Sequence, residues 1–224
     1  MNVKGLAFKT EWIEYPDIEA FYKERGISCV NTKPDGSPFC TLPVIHDGST
    51  NKYIADSYRI VAYLDDQYPA TLTLLPAGTH ALQAAFDSAT WLANGAANAI
   101  IMPATHKILN EASQSYFYRT KGIEELRLSE EKIDEQWKMF EAGMGVIEGW
   151  LKNNGEGQEF IAGDAITYGD IALAARILWY KKVLDDRTLD RSNESSNESK
   201  EWQRIQGWHG GRWAKLVADF KRYE

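Results

Sequence analysis

Apolar and polar positions over residues 1–69 alternate in short runs, and helical spacing takes over after them. "FKTEWIEY" reads as a strand. "PDIEAFYKERG" reads as a helix, with Pro16 at its start and Gly26 just beyond its end. "NTKPDGSPFC" is a loop by its Pro, Gly, Asp and Ser content. "TLPVI" has the length and character of a short buried strand, although Pro43 inside it removes a ladder donor. A turn at "HDGSTN", the strand "KYIA" and a helix opening at Asp56-Ser57 follow. Ile60, Val61, Tyr63 and Leu64 are spaced for one apolar face of that helix, which ends near Tyr68-Pro69.

From residue 79 onward the period is helical. "HALQAAFDSATWLANGAANAIIMPATHKIL" predicts a long helix with a kink or break at Pro103. "SEEKIDEQWKMFEAGMGVIEGWLKN" predicts another, capped by Ser129 and acidic in its first turn. "TYGDIALAARILWYKKVL" opens on a Thr167-x-x-Asp170 capping box whose acid is one carbon shorter than the usual Glu. The tract "DRTLDRSNESSNESKEW" is expected to be an exposed insertion, and a last helix is expected at roughly 212–222. The pattern predicts an α/β domain over 1–69, a linker over 70–78 and an all-α domain over 79–224.

Composition narrows the chemistry. A net charge of −7 with no Lys/Arg block argues against nucleic acid or an anionic membrane as the main partner. "WLANGAANAIIMPA", the most apolar stretch, is too short to span a bilayer and is interrupted by Asn94 and Asn98. The start of the chain carries Lys4, Lys9, Glu11 and Glu14 and lacks the apolar core of a signal peptide. Four scattered histidines show no metal-ligand spacing, so no metal is expected. Cys29 and Cys40 form neither a CxxC pair nor a disulfide framework and are expected as packing or surface thiols. A reduced, cytoplasmic protein is the expectation.

The order of strand, helix, loop, "TLPVI", strand and "ADSYRIVAYLDDQYP", then helices and the "ITYGDIALA" cap, resembles a cytosolic glutathione transferase. "KGLAFKTEWIEYPDIEA", "TKPDGSPFCTLPVIHD" and "IADSYRIVAYLDDQYP" are similar, more narrowly, to its etherase-related fungal class. The resemblance implies a thioredoxin-like first domain, incomplete at its start, and a helical-bundle second domain. It implies glutathione as co-substrate, an apolar aromatic second substrate and a homodimer. It also makes Pro43 a cis-proline that turns the backbone of Val44 toward the cysteinyl part of the tripeptide.

On the same resemblance, Asp56 and Ser57 read the γ-glutamyl end. Ser57 offers a hydroxyl to the carboxylate and Asp56 pairs with the α-amino group, at a helix N-terminus that favours anions. Helix capping is the other use of such a pair, and the two are compatible. Lys33, in the loop before "TLPVI", is a candidate for the glycyl carboxylate or simply a solvated surface lysine. Cys40 precedes Pro43 by three residues, although nucleophiles of this fold sit at the start of the first helix. Trp91, Asn94 and Asn98, expected on one face of the long helix, are candidates for a second-substrate pocket, against the commoner reading of core.

The family's first strand and thiol-activating residue have no counterpart in "MNVKGLAFKTEW". The catalytic group is therefore expected upstream of Met1, and "FKTEWIEY" is expected to lie unpaired in the present chain. The sequence favours an etherase-like transferase moving glutathione onto aromatic electrophiles. A non-catalytic glutathione- or aromatic-ligand-binding protein of the same fold is the alternative, and a glutathione-dependent reductase or peroxidase would need a cysteine at the start of helix 1.

Overall fold

The computed structural model describes residues 1–124, 128–185 and 199–223, and divides them into two compact units, Met1–His80 and Ala81–Glu224. Most of the tract expected as an exposed insertion lies outside the described residues.

In the first unit a 3₁₀ turn at Tyr15–Asp17, with Pro16 in its first turn, leads into α1 (Ile18–Glu24). Gly26 follows at φ 64, a left-handed conformation open to glycine at no steric cost. A hairpin of β1 (Asn31–Thr32) and β2 (Pro38–Phe39) precedes a second hairpin of β3 (Val44–Asp47) and β4 (Lys52–Ala55), and α2 (Ser57–Gln67) closes the unit. Ile18, Tyr22 and Ala55 form its buried centre, with Ile13, Val30 and Val44 among the residues packed on them.

Two expectations change here. The segment 6–14 is not a strand: both ladders find their partners in adjacent hairpins, none pairs with it among the described residues, and Trp12 is 90% exposed. Cys29 and Cys40 are not free thiols but are joined as a disulfide. The hairpin register Asn31↔Phe39 brings them to its open end with Cα atoms 4.6 Å apart, within the reach of such a bond.

Two polar clusters hold α2 against its neighbours. Asp47 accepts from the hydroxyls of Tyr63 (2.6 Å) and Tyr68 (2.8 Å) and from the Ser49 N–H and Oγ (2.9 and 2.7 Å). These donors, Tyr63 foremost, hold its carboxyl well below the usual carboxylate range. Because the folded value is the lower one, that stabilisation is present at neutral pH and is lost as pH falls through it. Also toward the C-terminal end of α2, the buried Lys4 Nζ donates to Asp65 Oδ1 (2.6 Å) and the Leu72 carbonyl (2.7 Å). Asp65 Oδ2 takes the N–H groups of Leu74 and Leu75, so both charges are satisfied.

The second unit is helical: α3 (His80–Ala93), α4 (Asn98–Ile108), α5 (Glu111–Lys121), α6 (Glu130–Lys152), α7 (Tyr168–Leu184), α8 (Lys200–Gly207) and α9 (Arg212–Phe220). Phe140 and Met144 of α6, Ile177 and Tyr180 of α7, Trp208 and Trp213 are buried in its core. The capping box of α7 closes despite the shorter acid: Asp170 Oδ2 accepts from the Thr167 N–H (2.9 Å) and Oγ1 (2.7 Å), and Oδ1 from the Ile161 N–H (2.8 Å). Burial nonetheless pushes this carboxyl up from its ordinary value. Ser129 stands at the N-cap of α6 without a side-chain cap bond. α5, which the apolar pattern does not predict, buries only Ser113 and Phe117 and depends on its ends: Asn110 Oδ1 accepts from the Ser113 N–H (3.0 Å), and Gly122 ends it at φ 60.

The long helix breaks at Asn94, not at the predicted Pro103, which sits inside a continuous α4. The cause lies in α6, where Gly143 presents a bare backbone to the Ala93 carbonyl and lets the end of α3 come down on it. Gly143→Ala places a methyl group on that carbonyl and is expected to destabilise by about 1–3 kcal/mol. Gly149→Ala, on the same helix with open space around it, is expected to stabilise by up to about 1 kcal/mol. Denaturant unfolding of the two variants checks the pair; equal effects would remove Gly143 as the cause.

Candidate functional site

The parity of the β3–β4 ladder decides what this end of the first unit offers a ligand. Val44 lies opposite Ala55, Ile45 opposite Ile54, and so on to Asp47 and Lys52. One step beyond the ladder the Asp56 N–H donates to the Pro43 carbonyl at 3.2 Å. Bonded and non-bonded positions alternate in an antiparallel pair, so positions 43/56, 45/54 and 47/52 are the bonded ones. Val44 is therefore in a non-bonded position, with its N–H and C=O turned away from β4 toward the outer edge of β3. The Leu42–Pro43 peptide bond is cis.

Asp56 and Ser57 stand at the junction of β4 and α2. Asp56 is the N-cap, its Oδ1 accepting from the Arg59 N–H at 3.1 Å. Its backbone is at φ 80, ψ 128, a region that side chains other than hydrogen rarely adopt. Such outliers cost about 1–3 kcal/mol and collect at ligand sites. Ser57 is the first residue of α2 and is exposed there, in the turn whose N–H groups have no acceptor within their own helix.

Sequence reasoning passed over Leu42. Leu42, the residue before the cis peptide bond, adjoins the bonded pair 43/56 and is 40% exposed. By the same parity the main-chain groups of Leu42, like those of Val44, are not spent on β4. Main-chain groups leave no mark in a sequence; only the ladder bond shows which residue they belong to.

The remaining candidates are dispersed. Lys33, in the β1–β2 hairpin, has its ammonium 3.7 Å from Glu19 of α1. The break at Asn94 separates the three residues expected on one helix face. Trp91 is on α3, 48% exposed, with the Arg176 guanidinium 4.3 Å from its ring centroid. Asn94 is buried beside Gly143, and neither polar atom of its side chain has a hydrogen-bond partner. Asn98 begins α4 and is exposed.

With that geometry in place, comparison with known proteins is decisive for the family. Residues 1–67 match the glutathione S-transferase N-terminal domain, and residues 81–223 match the glutathione S-transferase C-terminal domain. The chain belongs to the glutathione transferase family. Its first unit is accordingly thioredoxin-like and its second is the family's helical domain. Solved structures extend the likeness to fungal transferases. One is CsGST63524 of Ceriporiopsis subvermispora in complex with glutathione, at 39% identity and TM-score 0.89, covering 100% of this chain and 87% of that one. GSTFuA2 and GSTFuA3 from Phanerochaete chrysosporium share 37% and 36% identity, each with TM-score 0.87 and coverage of 100% and 86%. The search of curated proteins gives no match.

The strain at Asp56 is measurable. Asp56→Gly removes the positive-φ cost of about 1–3 kcal/mol and loses only a few tenths of a kcal/mol of capping. The variant is expected to gain about 1 kcal/mol in denaturant unfolding; a loss would show that the backbone there is unstrained.

Proposed function

We propose that the chain binds glutathione at the junction of β3, β4 and α2, and that the protein transfers it, in etherase-like fashion, to apolar aromatic electrophiles. The observation that carries the binding half is the Asp56 N–H bond to the Pro43 carbonyl. It ties Pro43, between Leu42 and Val44, to the strained acidic N-cap Asp56, which Ser57 follows. The γ-glutamyl carboxylate then takes Ser57 and the first turn of α2, the α-amino group takes Asp56, and the cysteinyl main chain pairs along 42–44. The complex of CsGST63524 with glutathione supports this choice of ligand.

The chemistry is nucleophilic substitution by a glutathione thiolate. The sulfur bonds to an electrophilic carbon of the aromatic substrate, and the leaving group departs with the electron pair of the broken bond. The residues above bind and orient the thiol's carrier; the thiol-activating group is assigned to none of them. Trp91, 48% exposed with the Arg176 guanidinium 4.3 Å from its ring centroid, is the candidate aromatic surface for an apolar substrate. Asn98 remains a weaker candidate for the same role, and Lys33 for the glycyl carboxylate. No step requires a metal. A cytoplasmic location suits a protein that draws on a pool of glutathione.

Assembly as a homodimer fits the surface of the second unit. Leu82, Ala85, Ala89 and Leu92 on α3, and Met139, Ala142, Val146 and Trp150 on α6, form two apolar stripes at helical spacing; Leu92 is 83% exposed. A second copy covering them is expected to be lost in the double variant Leu92→Glu, Val146→Glu. Light scattering that gives the same dimer mass for both proteins would place the interface elsewhere.

Ser57→Ala is expected to weaken glutathione binding about tenfold, the loss of one hydrogen bond to a charged group. Calorimetry reads it, and unchanged affinity counts against the site. On addition of glutathione, amide exchange at Leu42 and Val44 is expected to slow. Release of chloride from a chlorodinitrobenzene in the presence of glutathione tests transfer; binding without release selects a carrier that does not catalyse.

A further inference from the structure

Cys29 and Cys40 take no part in the proposed transfer, yet they sit against the site. They are bonded through their sulfurs across the open end of the β1–β2 hairpin, with a sequence separation of 11. Both residues are half-buried, neither sealed in the core. Both pack on the cluster of Ile18, Tyr22 and Ala55 that also receives Val44. From Cys40 the chain passes Thr41, whose carbonyl accepts the Tyr22 hydroxyl at 2.5 Å, and enters Leu42, Pro43 and Val44. The strands between the cysteines pair over only two residues each, too few to order the hairpin alone.

We propose that Cys29 and Cys40 form a reversible dithiol–disulfide couple served by glutathione disulfide and glutathione, and that its closed form holds residues 41–44 in their ligand-binding arrangement. The second half rests on the glutathione-site reading; the first does not. In closure, the thiolate of one cysteine attacks a sulfur of glutathione disulfide. That S–S bond breaks and one glutathione thiolate leaves, so a protein–glutathione mixed disulfide remains. The other cysteine gives up its proton and attacks the protein-bound sulfur, displacing the second glutathione. Two protein thiols are oxidised, one glutathione disulfide is reduced to two glutathiones, and the two protons lost by the cysteines are those the glutathiones gain. Excess glutathione runs the sequence in reverse. The cross-link closes residues 29–40 and anchors Cys40, from which the chain runs directly into 41–44.

The whole chain, equilibrated over a series of glutathione to glutathione disulfide ratios, acid-quenched and alkylated, reports the couple by intact mass. The expected result is loss of both alkylations together across the series, and arrest of Cys29→Ser at a mixed disulfide. Two alkylatable thiols in excess glutathione disulfide, or a bond that survives excess glutathione, would overturn the couple. The second half is read with S-methylglutathione, which cannot exchange. Its affinity is expected to be about three- to tenfold weaker for the dithiol form. Equal affinities overturn the coupling. Binding by neither form overturns the glutathione-site reading and the coupling with it, while the alkylation series still decides the couple.

Discussion

The bond from the Asp56 N–H to the Pro43 carbonyl sets the parity of the β3–β4 ladder, and the candidate site depends on that parity. A slip of one residue would turn every main-chain and side-chain direction in β3 over. With parity fixed, the N–H and C=O of Val44 turn away from β4, and Asp47 ends the strand where it can take Tyr63 and Tyr68. β3 and β4 are thereby tied to α2 at both ends, by the Asp56 cap at one and the Asp47 carboxylate at the other. A helix N-terminus beside a strand is common; one tied this way presents its first turn and the strand's main chain in a constant relation.

That constancy has a local cost. Asp56 occupies an unfavourable backbone region, and its neighbours must over-determine it for the conformation to persist. They do so from several directions: the ladder bond to Pro43, the cap bond to Arg59, and Ala55 buried with Tyr22 in the core. Farther along α2, Lys4 and the main chain of Leu74 and Leu75 converge on Asp65. Buried ion pairs are weak contributors to net stability, because desolvation offsets attraction. Their specificity is the more useful property here, since only one placement of α2 satisfies Lys4 and Asp65 together.

Much of this architecture was legible in the sequence, for identifiable reasons. β3, β4, α2 and the α7 cap follow from short-range signals: a two-residue or a 3.6-residue period, a turn cluster, a Thr-x-x-Asp box. What the sequence hid depends on partners far along the chain. The break at Asn94 needs Gly143, 49 positions later, to admit a carbonyl; Pro103, the local signal, proved compatible with a helix. The disulfide needs a hairpin register, the charge pair of Lys4 needs Asp65, and α5 is too polar for its period to show. In the candidate site, the strand-to-helix junction at Asp56 and Ser57 shows in residue types, whereas the main-chain parity of 42–44 leaves no mark in them.

The two halves of the proposed chemistry are specified in different ways. Recognition of a tripeptide by main-chain groups tolerates many side chains at 42–44, provided the ladder bond is kept, so the register and not the residue type carries the information. Recognition of an apolar substrate has to be carried by side chains, and Trp91 is the one proposed for it. Arg176, which stacks on the ring, is itself held by Thr90 at 2.5 Å and Asp87 at 3.0 Å, and Asp87 also accepts from Tyr168 at 3.2 Å. Gln83 takes the Gly169 N–H at 2.8 Å one turn earlier. Positions 83, 87 and 90 of α3 are thus fastened to α7 at helical spacing, and the same seam fixes the guanidinium that stacks on Trp91. On the proposed function, substitutions that alter which aromatic is accepted act through this α3–α7 seam, whereas those that alter tripeptide binding act through the ladder.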